Sequence, residues 1–359
     1  MEDELRKIYY DPENGASFSS VQKLYEAIKL KFPKASKSEV KNWLSGELAY
    51  TLHFPARKYF SRNRILVNHI NEQWEADLVD LKELEKFNDN FKYILTVIDS
   101  FSKYAYAVAL KSKTGNSLAS AFKEIFKNKI CFKLRTDRGT EFLNTNVQSL
   151  FKKHNIINFT SQNDSVKCAI VERFNRTLKS KMFKYFTAFG TRRYIDILDK
   201  LLRSYNNSIH RTIKMKPIAV NKNNELQVFK NIYGGVSMRQ LIKNVKAPTL
   251  KIGQKVRKKY NIGPLEKGYY PNWSDHIYTV DKSINEEIPL YHIKDYSGKP
   301  LKQRFYKEEL QKVKENLYRI EKVIKTKVTK GKKQHFVKWL NYPDTFNSWV
   351  SDTDIVKLP

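Results

Sequence analysis

The sequence has only two cysteines, Cys131 and Cys168, in 359 residues. So few can build neither a disulfide framework nor a cysteine-rich zinc module, and their scarcity predicts a reducing compartment. Long apolar runs are missing as well. None approaches the roughly 20 residues that span a bilayer, and the opening MEDELRKIYY has no signal-peptide core. A soluble, intracellular protein with no membrane partner is expected. Acids are scarce beside bases, 37 Asp and Glu against 67 Lys and Arg, leaving a net charge of +30. That excess is more than solubility requires and is the footprint of a polyanion binder, with nucleic acid the default partner. Aromatics are not scarce: at 13% of residues they can bury a core despite the charge, which argues against disorder. The length predicts a multidomain chain.

Val21, Leu24 and Ile28, then Val40, Trp43 and Leu44 beyond Pro33, recur at helical spacing, and Ser36-Lys37-Ser38-Glu39 offers a capping box. Two short helices with a tight break predict a small helix-turn-helix-like domain over residues 1–54. The basic, aperiodic PARKYFSRNRILVN reads as a linker over 55–70 whose Arg62 and Arg64 lie along phosphates. From Trp74 come three β-rich runs, WEADLVDL, FKYILTVID and KYAYAVAL. A helix over Ser117–Phe126 follows, then a strand from Ile130 leading to Asp137, a helix from about Glu141 to His154, the short strand INFTS, and a long helix from about Val166 to Phe186. This order predicts an α/β layer over 71–222. The polar VNKNNELQ reads as part of a connector over 223–246. KIGQKVRKK, HIYTV and YHIKDYSGKPLKQRFY suit a small β-barrel over 247–313, and 316–359 is a β-rich module with a hairpin turn at Lys330-Gly331, closing on DTDIVKL.

Three acids bear on chemistry. Asp77 lies within WEADLVDL, where Trp74, Ala76 and Leu78 point one way and Glu75, Asp77 and Val79 the other, so its side is expected to be polar. Asp137, in RTDRGTEF, ends another strand between Arg135 and Arg138; by itself this stretch also reads as a surface turn. Glu172 falls in the first turns of the long helix, with thirty-four residues between it and Asp137. Three carboxylates meeting in a dry site repel unless a cation lies among them. Hard oxygen donors without a Cys or His set select Mg²⁺ or Mn²⁺, and two such ions about 4 Å apart support in-line phosphoryl displacement. Asn175, Arg176 and Lys179 share the helix face of Glu172 and are expected at phosphates, while Ile170, Phe174, Leu178 and Met182 form the core-facing stripe.

WEADLVDL, VIDSFSKYAYAVAL, LRTDRGTEF and VERFNRTLKSK, in that order, with YNNSIH at 205–210, resemble the blocks of retroviral-type integrases over about residues 70–220. YYDPENGASFSS, GPLEKGYYPNW and the tail bring the resemblance nearest to the integrases of Maverick/Polinton elements and related virophages. The resemblance implies an RNase H-like catalytic core with Asp77, Asp137 and Glu172 as a triad holding two Mg²⁺ or Mn²⁺ ions, and an SH3-like barrel behind it. It implies DNA contacts from Asn175, Arg176 and Lys179, with Arg138, Arg62 and Arg64 beside them. The implied substrates are double-stranded element ends and target DNA, the implied assembly is a homo-oligomer, a tetramer on DNA, and the implied location is the host nucleus or a virion. The implied reaction is end processing and joining; an inactive chromatin adaptor and a purely hydrolytic nuclease remain open on the residues alone. Two features depart from the family. The Asp137–Glu172 spacing is one residue short of its thirty-five, and the N-terminal region has His53 and His69 but no cysteine before position 131, so no zinc is expected there.

The closing YRIEKVIKTKVTKGKKQHFVKWLNYPDTFNSWV resembles a chromodomain. Tyr318, Trp339 and Tyr342 fall at the three walls of that family's methyl-lysine cage, which implies a histone tail with methylated lysine as partner. Such a cage is worth about 2 kcal/mol or more per desolvated cation. The same rings also suit simple packing of a small β core, and the basic run Lys325 to Lys333 suits a nucleic-acid arm or an import signal.

Overall fold

The computed structural model describes residues 1–160, 168–237, 240–241, 245–260, 268–314, 318–329 and 331–355. The chain divides into two units, Asn63–Asn244 and the combination of Met1–Arg62 with Val245–Pro359.

In the central unit, β1 (Gln73–Asp80), β2 (Tyr93–Asp99) and β3 (Ala105–Leu110) run antiparallel, and β4 (Lys133–Thr136) and β5 (Ile157–Thr160) join β1 in parallel, giving the order β3-β2-β1-β4-β5. Alternation sorts the side chains. Trp74, Ala76 and Leu78 pack with α5 (Gly115–Phe126) and α6 (Thr145–Lys153), while Val79, Ile94 and Ala107 pack with α7 (Ala169–Phe189) and α8 (Leu198–Asn206). Helices on both faces explain why every residue of β2 is buried. Phe174, Leu178 and Met182 face this core, as their spacing predicted.

Several boundaries differ from the sequence expectation. β4 begins at Lys133, and Ile130 and Phe132 before it are exposed rather than in a buried strand. α6 begins at Thr145, because Asn144 caps it by accepting the Asn146 N–H. The expected start of α7 at Val166 lies outside the described residues, as do the end of INFTS, the GPLEK stretch, Asn316, Lys330 and the end of DTDIVKL.

The connector expectation is corrected more deeply. Residues Glu225–Tyr233 form α9, which buries Val228 and Tyr233 beside Val67, Phe101, Ile213 and Val220. The Tyr233 hydroxyl accepts the Val67 N–H at 2.9 Å. The C-terminal part of the expected free linker is therefore pinned to the core, because Ile65, Val67 and Ile70 supply apolar surface between its charges.

In the other unit, α1 (Glu2–Tyr10), α2 (Val21–Lys31), α3 (Lys37–Leu44) and α4 (Leu48–His53) close over Leu5, Tyr9, Leu24, Ile28, Val40 and Trp43. This is two helices more than the pattern around Pro33 suggested. α3 opens on a capping box in which Ser36 Oγ accepts the Glu39 N–H and Glu39 accepts the Ser36 N–H at 2.7 Å. The strands β6 (Lys255–Lys258), β7 (Tyr278–Ile284), β8 (Leu290–Lys294), β9 (Phe305–Tyr306) and β10 (Leu310–Lys312) form an antiparallel sheet ordered β10-β6-β7-β8-β9. Its edge strands β9 and β10 are joined by residues 307–309 alone. A flat five-stranded sheet sets its edges about 19 Å apart, whereas this link reaches at most about 14 Å, so the sheet must roll toward a barrel. Helix α4 is tied to it: Leu52 O accepts the Asn272 N–H at 2.8 Å, and Trp273 Nε1 donates to Phe54 O at 2.8 Å. The last module is a three-stranded antiparallel sheet, β11 (Ile320–Thr329), β12 (Lys332–Trp339) and β13 (Ser348–Ser351). No described helix is long and apolar enough to cross a membrane.

Candidate active site

β1 and β4 are parallel neighbours in which Glu75 stands opposite Arg135. Two residues farther along come Asp77, still within β1, and Asp137, in the turn that follows β4. In that turn Asp137 Oδ1 accepts the Gly139 N–H at 2.9 Å. A Cβ on Gly139 would stand 2.7 Å from Glu141 Cδ and 2.9 Å from Asp137 Oδ1, so a larger residue there would push these two acid side chains aside.

Glu75, one pleat below Asp77, is fully buried. Its Oε2 accepts the N–H groups of Ile170 and Val171 at 2.8 and 3.1 Å, and its Oε1 lies 3.6 Å from the Arg135 guanidinium. Burial pushes the Glu75 carboxyl up, opposed by the Val171 N–H and Arg135. A carboxylate at a helix N-terminus meets unpaired donors and the positive end of the dipole, so this contact fixes the first turn of α7. Glu172 is the next residue, exposed on that turn. The expectation of a polar face around Asp77 is thus corrected: α7 covers it, and its polar atoms bond the helix.

Asn175 departs from its expected place at phosphates. It is buried, and its Nδ2 donates to Asp77 Oδ2 at 2.8 Å, while Asp77 Oδ1 accepts the Leu78 N–H at 2.8 Å. Arg176 and Arg138 are exposed and Lys179 is half-buried. Arg62 and Arg64 are exposed in different units, Arg62 over the Phe60 ring at 4.3 Å. Cys168, the residue before α7, places its thiol 3.9 Å from Arg135 O, and burial pushes it up to about 12 with help from the charges of Glu75, Asp77 and Asp137.

Among the described residues, no three His, Cys, Asp or Glu side chains form a set able to hold a metal ion. Asp77, Asp137 and Glu172 stand on neighbouring elements without forming a ligand sphere. Their donor chemistry, carboxylate oxygen only, fits a hard divalent cation.

The YNNSIH motif serves the scaffold. Asn206 accepts the Ala105 N–H and donates to Ala105 O, both at 2.9 Å, clamping β3. His210 accepts the Thr212 N–H, and burial followed by Lys103 and Arg211 lowers its pKa to about 4. Burial also lowers Lys103 to about 8, opposed by Asp99 and Glu75. Sequence reasoning passed over Glu75, Glu141 and Asn206; the only signal for Glu75 was its position two residues before Asp77 on the same strand face.

In the terminal module, the Tyr318 ring lies 5.9 Å from Trp339 and 5.7 Å from Tyr342, edge to face with both, and Trp339 Nε1 donates to Ser348 Oγ at 3.0 Å.

Residues 67–165 match the model of the integrase core domain, and residues 318–359 match that of the Chromo (chromatin organisation modifier) domain. An uncharacterized transposon-derived protein of Caenorhabditis elegans is 34% identical over 200 residues, covering 55% of this chain and 65% of that protein, so the chain spans under two thirds of that relative's length. A chain of the simian T-cell lymphotropic virus intasome, solved in complex with PP2A regulatory subunit B56 gamma, shares the fold: 83% of this chain covers all of that one, at 16% identity and a TM-score of 0.58. The catalytic core domain of HTLV-2 integrase, solved in complex with magnesium, aligns 95% of its length with 42% of this chain at 19% identity and a TM-score of 0.35.

Proposed function

We propose that this chain is an integrase-type polynucleotidyl transferase that processes the ends of element or viral DNA and joins them to target DNA. The reading is carried by one observation. Asp77 lies on β1 and Asp137 directly follows its parallel neighbour β4, and α7, bearing Glu172, is held to β1 by Glu75 and Asn175. Asp77, Asp137 and Glu172 would hold two Mg²⁺ or Mn²⁺ ions, which when bound activate the attacking hydroxyl and offset charge on the leaving 3′ oxygen. Glu75 sets the position of Glu172, Asn175 orients the Asp77 carboxylate, and the exposed Arg138 and Arg176, with Lys179, bind the phosphates on either side.

The proposal extends to the flanking modules. The helical N-terminal domain and the rolled, SH3-like barrel grip DNA, Arg62 and Arg64 follow its backbone, and the protein acts in the host nucleus as a homo-oligomer, a tetramer that holds two DNA ends together. The affiliation with Maverick/Polinton and virophage integrases rests on the motifs outside the core. For the terminal module, the match to the Chromo domain and the half-open trio Tyr318, Trp339 and Tyr342 support a cage for methylated lysine of a histone tail.

The test is to incubate the purified chain with a terminal-repeat duplex, a plasmid target and Mg²⁺. Joined products support the proposal. Hydrolysis without joining would favour a nuclease, and DNA binding without either reaction an adaptor.

A further inference from the structure

The three rings of the terminal module do not close a pocket alone. Tyr342 is shared: beyond Tyr318, its ring lies 4.9 Å from His276 and 5.4 Å from Tyr296, both on the barrel. Tyr296 in turn meets Phe346 edge to face at 4.4 Å. The Ile277 N–H donates to the Tyr342 hydroxyl at 3.3 Å, and Asp275 binds Arg319 at 2.5 Å and Asn341 at 3.2 Å, so the barrel and the terminal sheet are joined by specific bonds.

Between them lies a cavity of about 660 Å³, with Trp339, Tyr318 and Phe346 on one side and Tyr296, Asp295 and Thr279 on the other. That volume falls among clefts that hold whole small ligands and exceeds what one lysine side chain fills. Its aromatic lining is open rather than packed, since Tyr318, Tyr296 and Phe346 stay 42%, 41% and 39% exposed.

The lining also holds a carboxylate. The Ser297 hydroxyl and the N–H groups of Lys299 and Ser297 hold the Asp295 carboxyl below its ordinary range, which keeps it charged. Of the two lysines of the lining, Lys294 pairs with Asp281 at 3.6 Å and Lys255 donates to Thr279 Oγ1 at 3.0 Å on the barrel wall. Aromatic faces beside a carboxylate select a cation.

We propose that the barrel forms the second half of this binding site. A peptide bearing a methylated lysine lies across both modules, its ammonium against Tyr318, Trp339 and Tyr342, and a basic neighbour of that lysine rests on the Tyr296 ring against Asp295. The inference rests on the cage reading above and adds the barrel residues and the basic neighbour to it.

The test uses the full chain and a synthetic peptide with arginine beside one trimethyl-lysine, together with its unmethylated version and a version with alanine for arginine. Tyr296→Leu and Asp295→Asn should each weaken binding of the methylated peptide about tenfold and erase the advantage of arginine over alanine, with melting unchanged. Tyr318→Ala should remove the preference for methylation. A photoreactive group on the arginine side of the peptide should label residues 295–298 of the unsubstituted chain. If Tyr296→Leu and Asp295→Asn bind like the parent and labelling is confined to the terminal module, while Tyr318→Ala loses the preference, the barrel is idle and only the cage stands. If the parent chain shows no preference for methylation, the cage reading falls and this inference with it.

Discussion

Glu75 and Asp77 are two carboxylates on one face of β1 with opposite duties. Asp77 is partly open within β1, whereas Glu75 is sealed beneath α7 and spends its oxygens on two helix N–H groups and Arg135. Removing it takes the acceptor from the Ile170 and Val171 N–H groups and a carboxylate from beside the buried Arg135, a loss of about 3–5 kcal/mol. Glu75→Ala should therefore lower stability in denaturant unfolding by that order and suppress joining. Glu75→Gln, which keeps an acceptor for Ile170 and Val171, should retain more of both. Equal effects from the two variants would contradict the pinning role. The place of Asp77 on a strand was legible because strand alternation is local. Glu75 was not, because its partners Ile170 and Val171 lie 95 and 96 residues away and nothing local predicts a covering helix. Asn175 was misjudged for a related reason: a polar residue on a charged stripe reads as solvated until a strand acid is found beneath it.

At the scale of elements, α9 shows how a polar sequence hides a packed helix. VNKNNELQ carries few apolar residues, and the two that α9 buries, Val228 and Tyr233, need a distant partner to reveal a face. Tyr233→Phe should cost about 1–3 kcal/mol in unfolding experiments, because the buried Val67 N–H loses its acceptor. No change would mean that the segment is a connector after all. The turn after α8 gives a pH signature. His210 titrates near 6.5 when unfolded and near 4 when folded, so between these values the unfolded chain binds more protons. Stability should fall as pH drops from about 6.5 toward about 4, and His210→Gln should flatten that part of a urea-unfolding series. The same slope in the variant would assign it elsewhere. The strands of both β modules were readable as strands, but the order β10-β6-β7-β8-β9 was not, since register depends on side chains from separate hairpins.

Over the whole molecule, the net charge of +30 belongs to the flanking modules as much as to the core, and phosphate binding should release many counterions. DNA affinity should drop by orders of magnitude between about 50 and 200 mM salt, measured by anisotropy on a terminal-repeat duplex. A flat response would remove the electrostatic basis of the proposal. The central claim is that Asp77, Asp137 and Glu172 act as one site, and the most direct measurement of it is strand transfer in Mg²⁺ by Asp77→Asn, Asp137→Asn and Glu172→Gln, each with its melting curve. The account predicts that every variant loses end processing and joining together while melting like the parent chain; full joining by any one of them would contradict it.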